Sequence, residues 1–228
     1  MRPLRCGPAN PASAASRSCF GLGTLRSTCA DVRCVQGSIR GAQVRPVPTL
    51  ARMFATSGIH VRPRRDSDLS TLLPILQRTH ETQRYPMRAA AVRADWLAAP
   101  NELAAWVAEY ENAVVGHVAL HPTASPEQDP GADDASAQWQ RATGVAADRL
   151  AVVSRLVTDG SVPGSGTTLL AHAVNAARDE GRAPVLLVDP SSAALGFYRR
   201  RGWHRIGTAA QQWGEYRVDA VLMVAPVR

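Results

Sequence analysis

The sequence predicts an α/β domain built on a mixed sheet. Short apolar strands alternate with amphipathic helical segments from Ile59 onward. Two of those helices flank a short buried strand, Val185–Val188, and glycines close both, Gly181 and Gly202. A further pair of apolar stretches meets at Glu111-Asn112, as an antiparallel hairpin requires. No internal repeat interrupts this order.

The elements follow in sequence. Ile59-His60-Val61-Arg62 alternates and reads as a strand. Asp68 is placed to cap a helix whose apolar face is Leu69, Leu72, Leu73 and Leu76, with Pro74 expected to kink it. A loop around Tyr85-Pro86 precedes a second helix expected near Ala89–Ala98. Leu103–Glu109 and Val114–Leu120 form the hairpin. Residues 122–148 are rich in Pro, Asp, Gly and Ser and carry five acids against Arg141. They read as an acidic insertion loop with one helical turn near Trp139, and such a loop could attract a cationic amine. Leu150–Val157 is a buried-type strand. A helix then runs through Glu180, with apolar residues at 169, 170, 173, 174 and 177. Ser191–Arg201 is the last helix, entered through an Asp189-Pro190-Ser191 turn in which Asp189 is the expected cap. Arg205–Thr208 and Val218–Val224 are the last strands.

Charge and cysteine content concern a different part of the chain. Its 228 residues carry a formal net charge of +7, and all 26 basic residues are arginines. Residues 1–52 hold eight of these arginines against one acid, Asp31, so residues 53–228 are formally neutral. All four cysteines, Cys6, Cys19, Cys29 and Cys34, also lie in 1–52. That segment is short of large apolar residues and is expected to be a disordered basic leader. Three accounts of it stand open: a transit segment, a nucleic-acid-binding arm, or upstream sequence preceding a true start at Met53. The missing lysine fits a GC-rich genome. The cysteine spacing suits neither zinc nor a disulfide framework, and no metal is expected. No run of about 18 apolar residues occurs, which excludes a transmembrane helix. With the globular part neutral, a nucleic-acid partner is not expected.

The chemistry concentrates in strand, Gly-x-Gly loop, helix, strand, and a helix bearing Tyr-x-x-x-Gly-Trp. A glycine-rich turn feeding a helix gathers backbone N–H groups and the helix dipole at one point, which favours a phosphate. The loop is neither a Rossmann fingerprint nor a P-loop, having no third glycine and no Gly-Lys-Ser/Thr. Arg155-Leu156-Val157 followed by Val162-Pro163-Gly164-Ser165-Gly166-Thr167-Thr168 resembles the acetyl-coenzyme A loop of the GNAT superfamily of N-acetyltransferases. Asp189-Pro190-Ser191 through Tyr198-Arg199-Arg200-Arg201-Gly202-Trp203 resembles that family's later motif. The resemblance spans about 59–226 and implies the acyl-CoA N-acyltransferase fold with splayed central strands.

It also implies roles. Ser161, Val162, Pro163, Gly164, Ser165 and Gly166 correspond to the pyrophosphate loop, with Thr167 and Thr168 opening the helix. Leu156 and Val157 match the strand that pairs with pantetheine, and Ser191 stands where many members have an asparagine. Tyr198 matches the tyrosine that protonates the departing thiolate, a role a neutral phenol can fill. Arg200, in the Arg199-Arg200-Arg201 run, is a candidate for the adenosine 3′-phosphate, the other account being a solvated helix end. Ser161, where Gln or Arg is usual, and Pro163, which has no N–H, depart from the pattern. The implied activity is acetyl transfer from acetyl-CoA to a primary amine of a small molecule or peptide, by direct attack. The alternative is an acyl-CoA-binding regulatory module without transfer. The acceptor is expected near residues 80–96, the 122–148 insertion and the Trp213–Tyr216 turn. His117, His121 and Glu109 are base candidates, with a structural role the competing account. A cytoplasmic location and a homodimer are compatible with this reading.

Overall fold

The computed structural model describes residues 58–124 and 131–227. The leader expected over 1–52 lies outside the described residues.

Seven strands form one sheet in the order β1-β2-β3-β4-β5-β7-β6. β1 is His60–Pro63, β2 Ala104–Tyr110, β3 Ala113–His121, β4 Leu150–Thr158, β5 Ala183–Val188, β6 His204–Trp213 and β7 Tyr216–Val224. All neighbours are antiparallel except β4 and β5. The helices are α1 Leu69–Gln83, α2 Ala94–Leu97, α3 Ala132–Thr143, α4 Ser165–Asp179 and α5 Ala193–Arg199.

Strand alternation sorts the core into two faces. Leu186 and Val188 of β5 pack with Leu169, Leu170, Ala173 and Tyr198, so α4 and α5 cover one face. Val185 and Leu187 point the other way, toward Trp139 of α3. Val107 and Val157 share that second face and meet Leu72 and Leu76 of α1. The stripe expected on α4 is buried as its spacing required.

Several expectations need correction. Asp68 does not cap α1 with its side chain. Its carboxylate accepts from the Arg62 guanidinium at 2.7 and 2.8 Å and from the Arg65 backbone N–H at 2.7 Å. A charge-assisted bidentate pair outcompetes a neutral cap. The helix runs on through Pro74 to Gln83. Ala89–Ala98 is not one helix but a 3-10 turn, Ala89–Ala91, and the single turn of α2. Ser192, not Asp189, caps α5, accepting from the Ala194 N–H at 3.1 Å.

The largest correction concerns 122–148. Its C-terminal half is not a loop with one turn but the 12-residue helix α3. Ala132, Ala135 and Trp139 recur at helical spacing and are buried, while Asp133 and Asp134 face outward in the first turn, where the dipole favours acids. Trp139 anchors α3 against Ala209 and Leu222. Gly131, just before the helix, lies so close to β6 that an added Cβ would stand 1.7 Å from the Ala210 carbonyl oxygen. The last strands are also longer than expected, because the β6–β7 hairpin pairs from His204 to the Trp213–Tyr216 turn, with one bulge between Arg205 and Gly207.

Candidate active site

The site begins where the only parallel pair of the sheet parts. β4 pairs with β5 through Leu150, Ala151 and Val152 alone. Beyond that point β4 stays with β3 to Thr158, while β5 turns to β7. The strands splay apart and leave a wedge lined by backbone.

A bulge lies within this stretch of β4. Ala119 pairs with Ser154 and His117 with Val157, so Arg155 and Leu156 together oppose Val118. Arg155 adopts φ 55, a left-handed value that a branched or bulky residue rarely takes. Its backbone is held on both sides: the N–H donates to the Tyr85 hydroxyl at 3.1 Å, and the carbonyl accepts from His117 Nδ1 at 3.0 Å. Leu156 and Val157, expected to pair with pantetheine, thus sit on the free flank of the splay.

At the end of β4 the chain enters the Gly-x-Gly loop. Ser161, Pro163 and Gly164 are exposed, and Gly164 takes φ 92 as it turns the chain into α4. Only glycine adopts that value without strain. Ser165 is buried at the start of α4, and Thr168 folds its hydroxyl back onto the Gly164 carbonyl at 3.2 Å. The Ser161 N–H and hydroxyl both donate to Asp159 Oδ1, at 2.9 and 2.7 Å. The other splayed strand ends in the same way. There the Ser191 N–H and hydroxyl donate to Asp189 Oδ1 at 2.8 and 2.7 Å. Matching Asp-x-Ser turns therefore close β4 and β5.

Arginine 201 reaches this loop, and the sequence reading did not single it out. Its guanidinium donates to the Thr167 hydroxyl at 3.1 and 2.5 Å and stacks 3.6 Å from the Phe197 ring centroid. Arg200 instead folds back along α5 over Gly196. The signal was present in the spacing: 197 and 201 share a helix face, as do 196 and 200.

Tyr198 is 9% exposed, packed edge-on against Phe197 and Trp203. Burial raises its pKa, with a smaller contribution from Tyr85. The phenol is therefore protonated throughout the neutral range.

The base candidates sit elsewhere. Arg62 holds Glu109 at 2.6 and 2.8 Å and keeps its carboxyl below the usual range. His117 Nδ1 faces a carbonyl, so it carries the proton. His121 Nε2 faces Arg155 Nη1 at 2.5 Å, so it accepts, and its Nδ1 carries the proton toward Ser154 Oγ at 2.8 Å. Burial pushes His117 down to about 4 and His121 down to about 3. Both are therefore neutral at pH 7, and His121 also lines a cavity.

Two hollows open on the α1/α3 face. One, of about 240 Å³, lies between α3, β6 and the splay and is lined by His121, Ser154, Arg155, Leu187, Trp139 and Trp213. The other is lined by Arg88, Arg93, Asp95, Trp96 and Arg155. Arg155 borders both. Asp133 and Asp134 of α3 border neither.

A wedge between two parallel strands, entered past a glycine-led helix N-terminus, is the arrangement of acyl-CoA-dependent transferases. Residues 69–203 match the Acetyltransferase (GNAT) family, and the chain belongs to it. No curated protein matches it in sequence. Among similar solved structures, the N-acetyltransferase of Staphylococcus aureus Mu50 is 18% identical, with a TM-score of 0.53 over 75% of this chain and 100% of that one. The ribosomal-protein-alanine N-acetyltransferase of Brucella melitensis is 21% identical, with a TM-score of 0.51 over 74% and 99%. The protein yncA of Salmonella typhimurium, solved with its cofactor acetyl-CoA, is 16% identical, with a TM-score of 0.52 over 75% and 95%. These likenesses show the fold. No helix among the described residues is long and apolar enough to cross a membrane, and none of their His, Cys, Asp and Glu side chains form a metal-binding group.

Proposed function

We propose that the chain is an N-acetyltransferase that takes its acyl group from acetyl-CoA and delivers it to a primary amine. The observation that carries this is the splay of β4 and β5, open beside a glycine-led helix N-terminus. Acetyl-CoA supplies an activated acyl thioester, whose transfer to a neutral amine releases a thiol.

The residues fit that group. The exposed loop from Ser161 to Gly166 and the first turn of α4, Thr167 and Thr168, offer backbone donors at the positive end of a 15-residue helix. Arg201, already seated on Thr167, adds a guanidinium for a phosphate oxygen. Leu156 and Val157 present a strand edge to an extended amide chain, and a Leu156 backbone N–H can polarise the thioester carbonyl. Ser191 borders the wedge from the β5 side. Tyr198 donates the proton that the leaving sulfur takes up, and the proton shed by the attacking amine returns through water to restore the phenol.

A second reading, a module that binds acyl-CoA without transferring it, is favoured by one contact. Asp159 already occupies the Ser161 N–H, and Pro163 offers none. Calorimetric titration with acetyl-CoA, followed by thiol release over an amine panel on the same sample, separates the two. Heat with thiol release supports transfer; heat with no release over the whole panel supports the module; no heat overturns both.

A further inference from the structure

We infer that the cavity beside the splay is a carboxylate-recognition site built on Arg155, and that the acceptor is a small amino acid, an amine and a carboxylate in one molecule. This rests on the transferase reading and names its substrate class.

Arg155 is the one charged residue of β4, and the fold holds its backbone on both sides. Tyr85 and His117 fix its backbone in the left-handed region. His121 accepts from Nη1, and the Trp96 ring lies 5.1 Å from the guanidinium carbon. No carboxylate among the described residues pairs with it: the ion pairs of this region join Arg62 to Asp68 and Glu109, Arg64 to Glu102, and Arg93 to Asp95. Holding a half-buried guanidinium without an anion is costly. Burial lowers its pKa, yet an arginine remains a cation at neutral pH. A histidine with its lone pair turned toward this cation fixes the guanidinium without neutralising it. One nitrogen donates to His121, the Trp96 ring lies beside the guanidinium, and the side chain lines both hollows. A planar fork with free donors matches a carboxylate in two-point contact.

A second group in the same cavity lacks a partner. Trp139 is 2% exposed, lines the cavity, and its indole N–H has no hydrogen-bond acceptor among the described residues. That nitrogen is closed to solvent, so the ring presents apolar surface to the cavity. Among the described residues Asp95 borders the second hollow, where Arg93 holds it, and Asp133 and Asp134 of α3 face away. A volume of about 240 Å³ suits a molecule of amino-acid size rather than a polypeptide segment.

The test compares glycine, leucine, phenylalanine and β-alanine with their primary amides, using the full chain and acetyl-CoA, by thiol release. The amides have less basic amines and so a larger neutral fraction, which biases reactivity against the expected result. The acids should exceed their amides in kcat/KM by about tenfold or more. Asparagine tolerates the left-handed backbone at position 155, so Arg155→Asn removes the guanidinium without adding strain. In that variant the acid-to-amide ratio should collapse toward one through KM of the acid, and Arg155→Lys should restore part of it. Equal use of acid and amide by the native chain, or an equal fall for both in Arg155→Asn, overturns the proposal. Preference for an aspartate-containing peptide amide over all four free amino acids overturns the small-molecule assignment. If no amine is turned over, the transferase reading fails separately. Saturation-transfer NMR with the same acid and amide pairs then decides: contact by the acids, lost in Arg155→Asn, sustains the site, and no contact removes it.

Discussion

At Tyr198 the phenol lies among Phe197, Trp203 and the α4 face, and burial keeps it protonated. Replacing it by Phe retains the ring packing and removes only the proton. Tyr198→Phe should lower turnover about a hundredfold or more with little change in KM for acetyl-CoA or in Tm. Unchanged turnover in steady-state assays would remove Tyr198 as the acid. This residue was legible because Tyr-x-x-x-Gly-Trp is a local pattern. Arg201 was harder to pick from three consecutive arginines, since the choice depends on helix phase. Arg155 was quoted only as part of a strand. Its role rests on Tyr85, His117 and His121, which lie 70, 38 and 34 residues away in sequence.

Among the elements, α3 departs most from expectation. Its sequence, Ala-Asp-Asp-Ala-Ser-Ala-Gln-Trp-Gln-Arg-Ala-Thr, has few large apolar residues, so its helical stripe of Ala132, Ala135 and Trp139 is thin. A single tryptophan supplies most of the anchoring, supported by Gln138 Nε2 donating to the Thr208 carbonyl at 2.8 Å. Trp139→Ala should therefore cost about 3–5 kcal/mol, measured by chemical denaturation. A loss under about 1 kcal/mol would mean that α3 is not docked as described. By contrast α4 has five apolar residues on one face and was legible from its period. The Glu111-Asn112 turn was legible too. Both residues have positive φ, 50 and 66, as a tight two-residue hairpin demands.

For the whole molecule, two buried neutral histidines beside arginines set the pH response. Their folded pKa values, about 4 for His117 and about 3 for His121, lie below the ordinary 6.5. The unfolded chain therefore binds more protons between those values. The contribution is complete above pH 6.5 and is lost as pH falls toward about 4, at up to about 1.4 kcal/mol per pH unit for each histidine. Asp68 and Glu109, held low by Arg62, add a further loss in the carboxylate range below that. Tm should fall steadily from pH 7 to pH 5. His121→Gln, which keeps an acceptor for Arg155, should flatten that slope. An unchanged slope in a thermal melt series would show that His121 titrates normally.

The α/β class, the order of the seven strands, the helices α1, α4 and α5, and the two motifs were legible in the sequence. Each of these rests on short-range periodicity or on residues within one turn. Which strands part, where the bulge falls, and that residues 132–143 form a helix beside a cavity depend on the tertiary structure. So does the placing of Arg155 in the lining of that cavity. Those features arise when side chains distant in sequence compete for the same partner. Arg62 takes Asp68 from its cap, and His121 turns its lone pair to Arg155. No local pattern records such competition, because its outcome depends on burial and on which partner offers the stronger charged hydrogen bond.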